Sequence, residues 1–189
     1  MKSKGDEILI LSDERYEEIK TTVVELFEKL DIRCTPISGF EIATQMGVKV
    51  IPYSAYPLTT KTLMLKRSED GFSIKKTTGE WFIFYNDEKP YGRINNTIMH
   101  EDAHIILDHT EDSELAESEA KFFAKFALAP PVLIHKFGLN NAFDISNRFE
   151  ISYEAAKYAL NFYHKWLNHS NSRYTDYEIK LCQLFGLAV

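Results

Sequence analysis

Apolar residues recur along the first part of the chain with the 3.6-residue rhythm of helices. Tyr16, Ile19, Val23, Leu26, Phe27 and Leu30 form one stripe, preceded by Ser12 as an N-cap and by acidic residues that suit a helix start. A shorter helix is predicted from near Ser38 to Gly47, with Ile42 and Met46 on its inner side. The rhythm then changes to two. Residues 48–52 alternate and stop at a proline, 54–60 read as a loop, and 63–66, 71–77 and 80–85 read as strands. Ser68-Glu69-Asp70-Gly71 and Thr78-Gly79 supply the turns between them. A small, largely antiparallel sheet is the simplest assembly.

After a loop over residues 86–92 the helical rhythm returns. Ile94, Ile98, Met99, Ala103, Ile105 and Ile106 make the next helix apolar nearly all round, as a buried helix should be. A second helix is predicted over residues 114–128, capped by Ser113 or Asp112 and ended by Pro130-Pro131. Beyond it come a short helical piece at 132–137 closed by Gly138, and a helix–turn–helix-like pair at 144–149 and 152–166. A polar linker at 168–173 leads to the capping box Thr175-Asp176-Tyr177-Glu178, which opens a last helix. The expected class is α+β, with residues 1–131 forming the core and 132–189 a helical extension packed on it.

The polar residues inside the buried helix change the picture. They are His100, Glu101, Asp102 and His104, which contain His-Glu-x-x-His. Residues four apart on a helix stack about 5–6 Å from one another, so both imidazoles can address one cation. Glu101, one step round, is placed to take a proton from a water on that cation without binding the cation itself. A catalytic zinc site needs a third protein ligand. Leu115, Glu119, Phe122 and Phe126 share one stripe of the next helix, so Glu119 interrupts an apolar row and requires a positive partner. It is the expected third ligand. Glu117, on the face carrying Lys121 and Lys125, is the alternate. Asp108 and His109 read as an ordinary helix C-terminus, where the dipole favours a histidine. His164 and His169 are further histidines that could reach the site, but nothing in the pattern places them there.

Composition narrows the function. A net charge of −6 argues against broad phosphate binding, so a nucleic-acid partner is not expected. The 2 cysteines, Cys34 and Cys182, are far apart and form neither a disulfide framework nor a thiolate metal site. The polar start at residues 1–7 is unlike a signal peptide, and no apolar run approaches the ~18 residues of a membrane span. A cytoplasmic protein is expected.

The run Ile98-Met99-His100-Glu101-Asp102-Ala103-His104-Ile105-Ile106-Leu107-Asp108-His109 resembles the core of the ImmA/IrrE metallopeptidases. So does Glu117-Ser118-Glu119-Ala120-Lys121-Phe122-Phe123-Ala124-Lys125-Phe126-Ala127-Leu128-Ala129-Pro130, with the family's Glu-Ala-x-x-Phe-Ala pattern and its proline exit. The likeness spans roughly Phe40 to Trp166. Asp102 and Ala103 stand where Leu-Gly or Ile-Gly is commoner, and Lys121 stands for a frequent asparagine. The resemblance implies a zincin-like fold, with His100, His104 and Glu119 as ligands of zinc, or of another divalent ion, and Glu101 as general base. It also implies a protein substrate, a helix-turn-helix repressor of mobile elements or stress responses. The competing reading is a non-cleaving partner that sequesters a repressor or toxin.

Overall fold

Side-chain caps start the helices where the polar punctuation puts them. Ser12 Oγ accepts from the Arg15 backbone N–H and opens α1 (Asp13–Lys29), and Ser38 does the same at Glu41 for α2 (Gly39–Gln45). The computed structural model describes residues 10–169 and 173–189. The N-terminal stretch weighed above as a leader, and part of the 168–173 linker, lie outside them.

Three strands make one mixed sheet in the order β1-β3-β2, with β1 at Lys49–Pro52, β2 at Gly71–Lys75 and β3 at Trp81–Tyr85. The hairpin β2–β3 is antiparallel, pairing Gly71 with Tyr85 and Lys75 with Trp81. β1 instead runs parallel to β3, pairing Lys49 with Phe82, so the sheet is less antiparallel than expected. The reason is the connection. Tyr53–Ala55 form a short 3-10 turn, and residues 56 and 57 stay in a loop. Residues 58–60 and 63–66, expected as loop and strand, belong to α3 (Leu58–Arg67), which starts after Pro57. Leu-Met-Leu-Lys fits a strand or a helical turn equally by pattern, and these residue types are strong helix formers. Met64 and Leu65 lean on the aromatic cluster of Tyr53, Phe82 and Phe84, while no residue of α3 is fully buried.

The buried helix is α4 (Tyr91–Ile106), and the second predicted helix is α5 (Glu114–Leu128), capped by Ser113. Two glycines and one asparagine fix α4. A Cβ at Gly39 would lie 2.9 Å from the Met99 nitrogen, and one at Gly71 would lie 2.6 Å from Thr97 Cγ2. Both neighbours therefore approach α4 more closely than any side chain would permit. Asn95, fully buried, accepts from the Gly39 N–H at 2.7 Å and donates to the Ile37 carbonyl at 2.9 Å.

The remaining helices are α6 (Pro131–Lys136), α7 (Ala142–Phe149), α8 (Tyr153–His169) and α9 (Asp176–Leu184). α8 runs three residues past Trp166, so the linker begins later than predicted. The capping box at Thr175 and Glu178 is formed. One hydrophobic cluster links Val23 and Phe27 of α1, Phe123 of α5, Leu133 of α6, Phe149 of α7 and Leu181 of α9. No helix among the described residues is long and apolar enough to cross a membrane.

Candidate metal centre

His100 and His104 sit one turn apart on α4, and their Nε2 atoms lie 3.1 Å apart. Glu117 of α5 meets both, with one carboxylate oxygen 3.6 Å from His100 Nε2 and the other 3.3 Å from His104 Nε2. Among the described residues this is the group able to hold a metal ion, its donor atoms all within 4.8 Å of one another. Contact with His100 and His104 drives the Glu117 pKa far below the usual carboxylate range, against the pull of partial burial. Burial lowers the His104 pKa, and Glu117, Glu101 and Asp112 together outweigh it, so the net shift is upward. An anion wedged between two imidazoles, with donors this close, fits a cation in their midst.

Glu119 does not converge on the histidine pair. Its two oxygens take a fork from Arg15 of α1, at 2.7 Å from Nε and 2.8 Å from a terminal guanidinium nitrogen. His109 Nε2 lies 2.9 Å from the same carboxylate. The Arg15 guanidinium holds the Glu119 pKa down, burial opposes it, and His109 adds to the lowering. The reasoning that a carboxylate in an apolar stripe needs a positive partner stands, but the partner is an arginine. Arg15 lies four residues before buried Ile19, so two charges interrupt apolar stripes on facing helices. Each is the other's counterpart; residue order shows both interruptions, but not that they pair.

His109 is more than a helix end. Its Nδ1 lies 3.0 Å from His104 Nδ1. The path Arg15–Glu119–His109–His104 therefore reaches the far nitrogen of a ligand-competent imidazole and leaves Nε2 facing Glu117. Such outer partners orient metal-binding histidines and fix their tautomer. Asp108 is exposed, with a left-handed φ of 53°, and takes no part. His164 is exposed, with its ring beside Tyr163, and the His169 side chain lies outside the described ones.

Glu101 is buried and lines a cleft of about 650 Å³ shared with β2, Trp81, His104, His109 and Glu117. A family profile, that of the IrrE N-terminal-like domain of peptidase family M78, matches residues 43–161. The chain belongs to the ImmA/IrrE metallopeptidase family. No curated protein matches it in sequence. The match takes in both histidines, Glu101 and both candidate glutamates, and an ImmA/IrrE assignment agrees with the α+β arrangement of small sheet and helices. Family membership supplies the metallopeptidase type, and the geometry supplies which carboxylate stands beside the imidazoles.

Asp102 is the oddity of this ImmA/IrrE helix. It is fully buried, and neither carboxylate oxygen has a hydrogen-bond partner. Burial first, then the nearby Glu101, pushes its pKa well above the usual value. Asp102→Leu is expected to stabilise the fold by about 1–3 kcal/mol at pH 7, the usual desolvation cost of an unsatisfied buried group. A raised folded pKa means stability that is fully present below the unfolded value of about 3.9 and lost as pH rises. The gain over wild type should therefore shrink toward pH 4 in denaturant titrations. A constant or negative difference across that range would refute this account of Asp102.

Proposed function

We propose that this chain is a zinc-dependent endopeptidase that cuts a helix-turn-helix repressor. The observation that carries the reading is Glu101, a buried carboxylate outside the ligand group, in the same cleft as His104 and Glu117. His100, His104 and Glu117 would hold the ion, whose chemistry when bound is to acidify a water and polarise the scissile carbonyl. Glu101 takes the proton from the attacking water at its carboxylate and returns it to the leaving amine. The His109–Glu119–Arg15 path keeps the His104 ring in one orientation throughout. β2 is an edge strand along the cleft, where an extended substrate backbone adds as one more strand.

The test is incubation of zinc-loaded protein with a helix-turn-helix repressor, chosen first from any such regulator encoded next to its gene. Mass spectrometry should find two complementary fragments, and a chelator should prevent them. An intact regulator with altered DNA occupancy would overturn cleavage in favour of sequestration.

A further inference from the structure

A second cavity, of about 520 Å³, is lined in part by α4 and α5, the two helices that carry the metal centre. On α4, Arg93, Asn96, His100 and His104 fall on one stripe at spacings of three, four and four. On α5, Glu117, Lys121, Lys125 and Leu128 do the same at four, four and three. The two helices run antiparallel, because Glu117 meets the C-terminal half of α4 while Lys125 and Leu128 share the cavity with Arg93 and Asn96. The same two facing helix stripes therefore carry the metal centre toward one end and the cavity toward the other. Ile151, from the turn before α8, and Ala155 and Tyr158, from the start of α8, close the cavity's far wall. Seven helical residues separate His100 from Arg93, or about 10 Å. An extended peptide advances about 3.3 Å per residue and covers that in three residues.

The sheet sets the direction. β2 runs along α4 with Gly71 against Thr97, and Arg93 forks onto Asp70 at 2.7 and 2.8 Å. The Gly71 end is therefore the end near the cavity. A peptide pairing antiparallel to β2 passes from the Lys75 end to the Gly71 end, so its residues after the scissile bond approach the cavity. Charge adds a second constraint. Lys125 Nζ lies 3.9 Å above the Tyr158 ring and makes no ion pair among the described residues. Among the described residues, Lys121 has as ion pair a 3.9 Å contact with Glu117. Arg93 is already neutralised by Asp70, and the cavity's one carboxylate, Glu150, is exposed.

Resting on the peptidase reading above, we propose that this cavity receives a large apolar side chain about three residues C-terminal to the scissile bond. An acidic neighbour in the substrate meets Lys125. The cavity is thus a specificity site for the same substrate, and selects an acidic-apolar segment despite the chain's own net charge of −6.

The probes are synthetic hydroxamates in which the metal-binding group is followed by three residues, titrated calorimetrically into the zinc-loaded protein. Phe for Gly at the third residue should tighten binding about tenfold or more, the worth of burying one large apolar side chain. Glu for Gln at the second residue should add to this, and Lys125→Gln should remove that addition. Ala155→Trp, which fills the cavity, should remove the Phe preference, with zinc content as the check on folding. If that variant loses zinc, Tyr158→Ala, which takes away a wall, should blunt the preference instead. A Phe preference that survives in the folded variant, or none in wild type, overturns the proposal. So does a preference seen only in a mirror series whose residues precede the hydroxamate. A protein that takes up no zinc overturns the peptidase reading and this proposal together, whereas zinc binding without selectivity overturns this proposal alone.

Discussion

Glu101→Gln is expected to lower the rate of repressor cleavage by about 10²–10⁴-fold, the usual contribution of a positioned general base, while zinc stays stoichiometric. Gln is nearly the same shape as Glu and cannot accept a proton. Glu101 is buried in the cleft yet absent from the group of donors formed by His100, His104 and Glu117. Its removal should therefore strike the chemistry and spare the metal. Single-turnover cleavage and metal analysis on the same preparation separate these effects. Activity within tenfold of wild type would remove Glu101 from the base role. Loss of zinc would make it a ligand.

The second large effect separates two glutamates two residues apart. Glu117→Ala should weaken zinc by more than the about 10–100-fold that loss of an outer hydrogen-bond partner costs. Glu119→Ala should fall inside that outer-partner range, because it acts through His109 on His104 and not on the ion. Arg15, with a third of its side chain exposed, can then turn to water. His109 has no such escape, its side chain being 9% exposed, and loses its partner on the far side from His104. Competition with a chromophoric chelator measures both affinities. Equal losses, or a larger one for Glu119→Ala, would reverse the roles given to the two residues.

Much of this arrangement was legible from residue order, and the rest was not for reasons that can be named. Helix starts at Ser12, Ser38, Ser113 and Thr175 follow from capping, which is local chemistry. The histidine pair follows from helical spacing, also local. Which glutamate of α5 faces that pair depends on how α5 is rotated against α4, and a single stripe of apolar residues cannot fix it. Burial of Glu119 is legible in its apolar stripe, but burial demands a positive partner without saying which, and Arg15 is 104 residues away. His109 looked like a helix end because its two neighbours come from α4 and α5 and meet only in the folded chain. α3 is not legible in residue order, because Leu63-Met64-Leu65-Lys66 carries no period of its own. The direction of β1 depended on that same helix.

Anomalous diffraction at the zinc edge, from crystals of the zinc-loaded protein, tests the central geometry most directly. The expected result is one peak about 2.0–2.2 Å from His100 Nε2, His104 Nε2 and a Glu117 oxygen, with Glu119 still forked on Arg15. A peak bonded to Glu119 or His109, or no peak at full zinc occupancy of the solution, would contradict it.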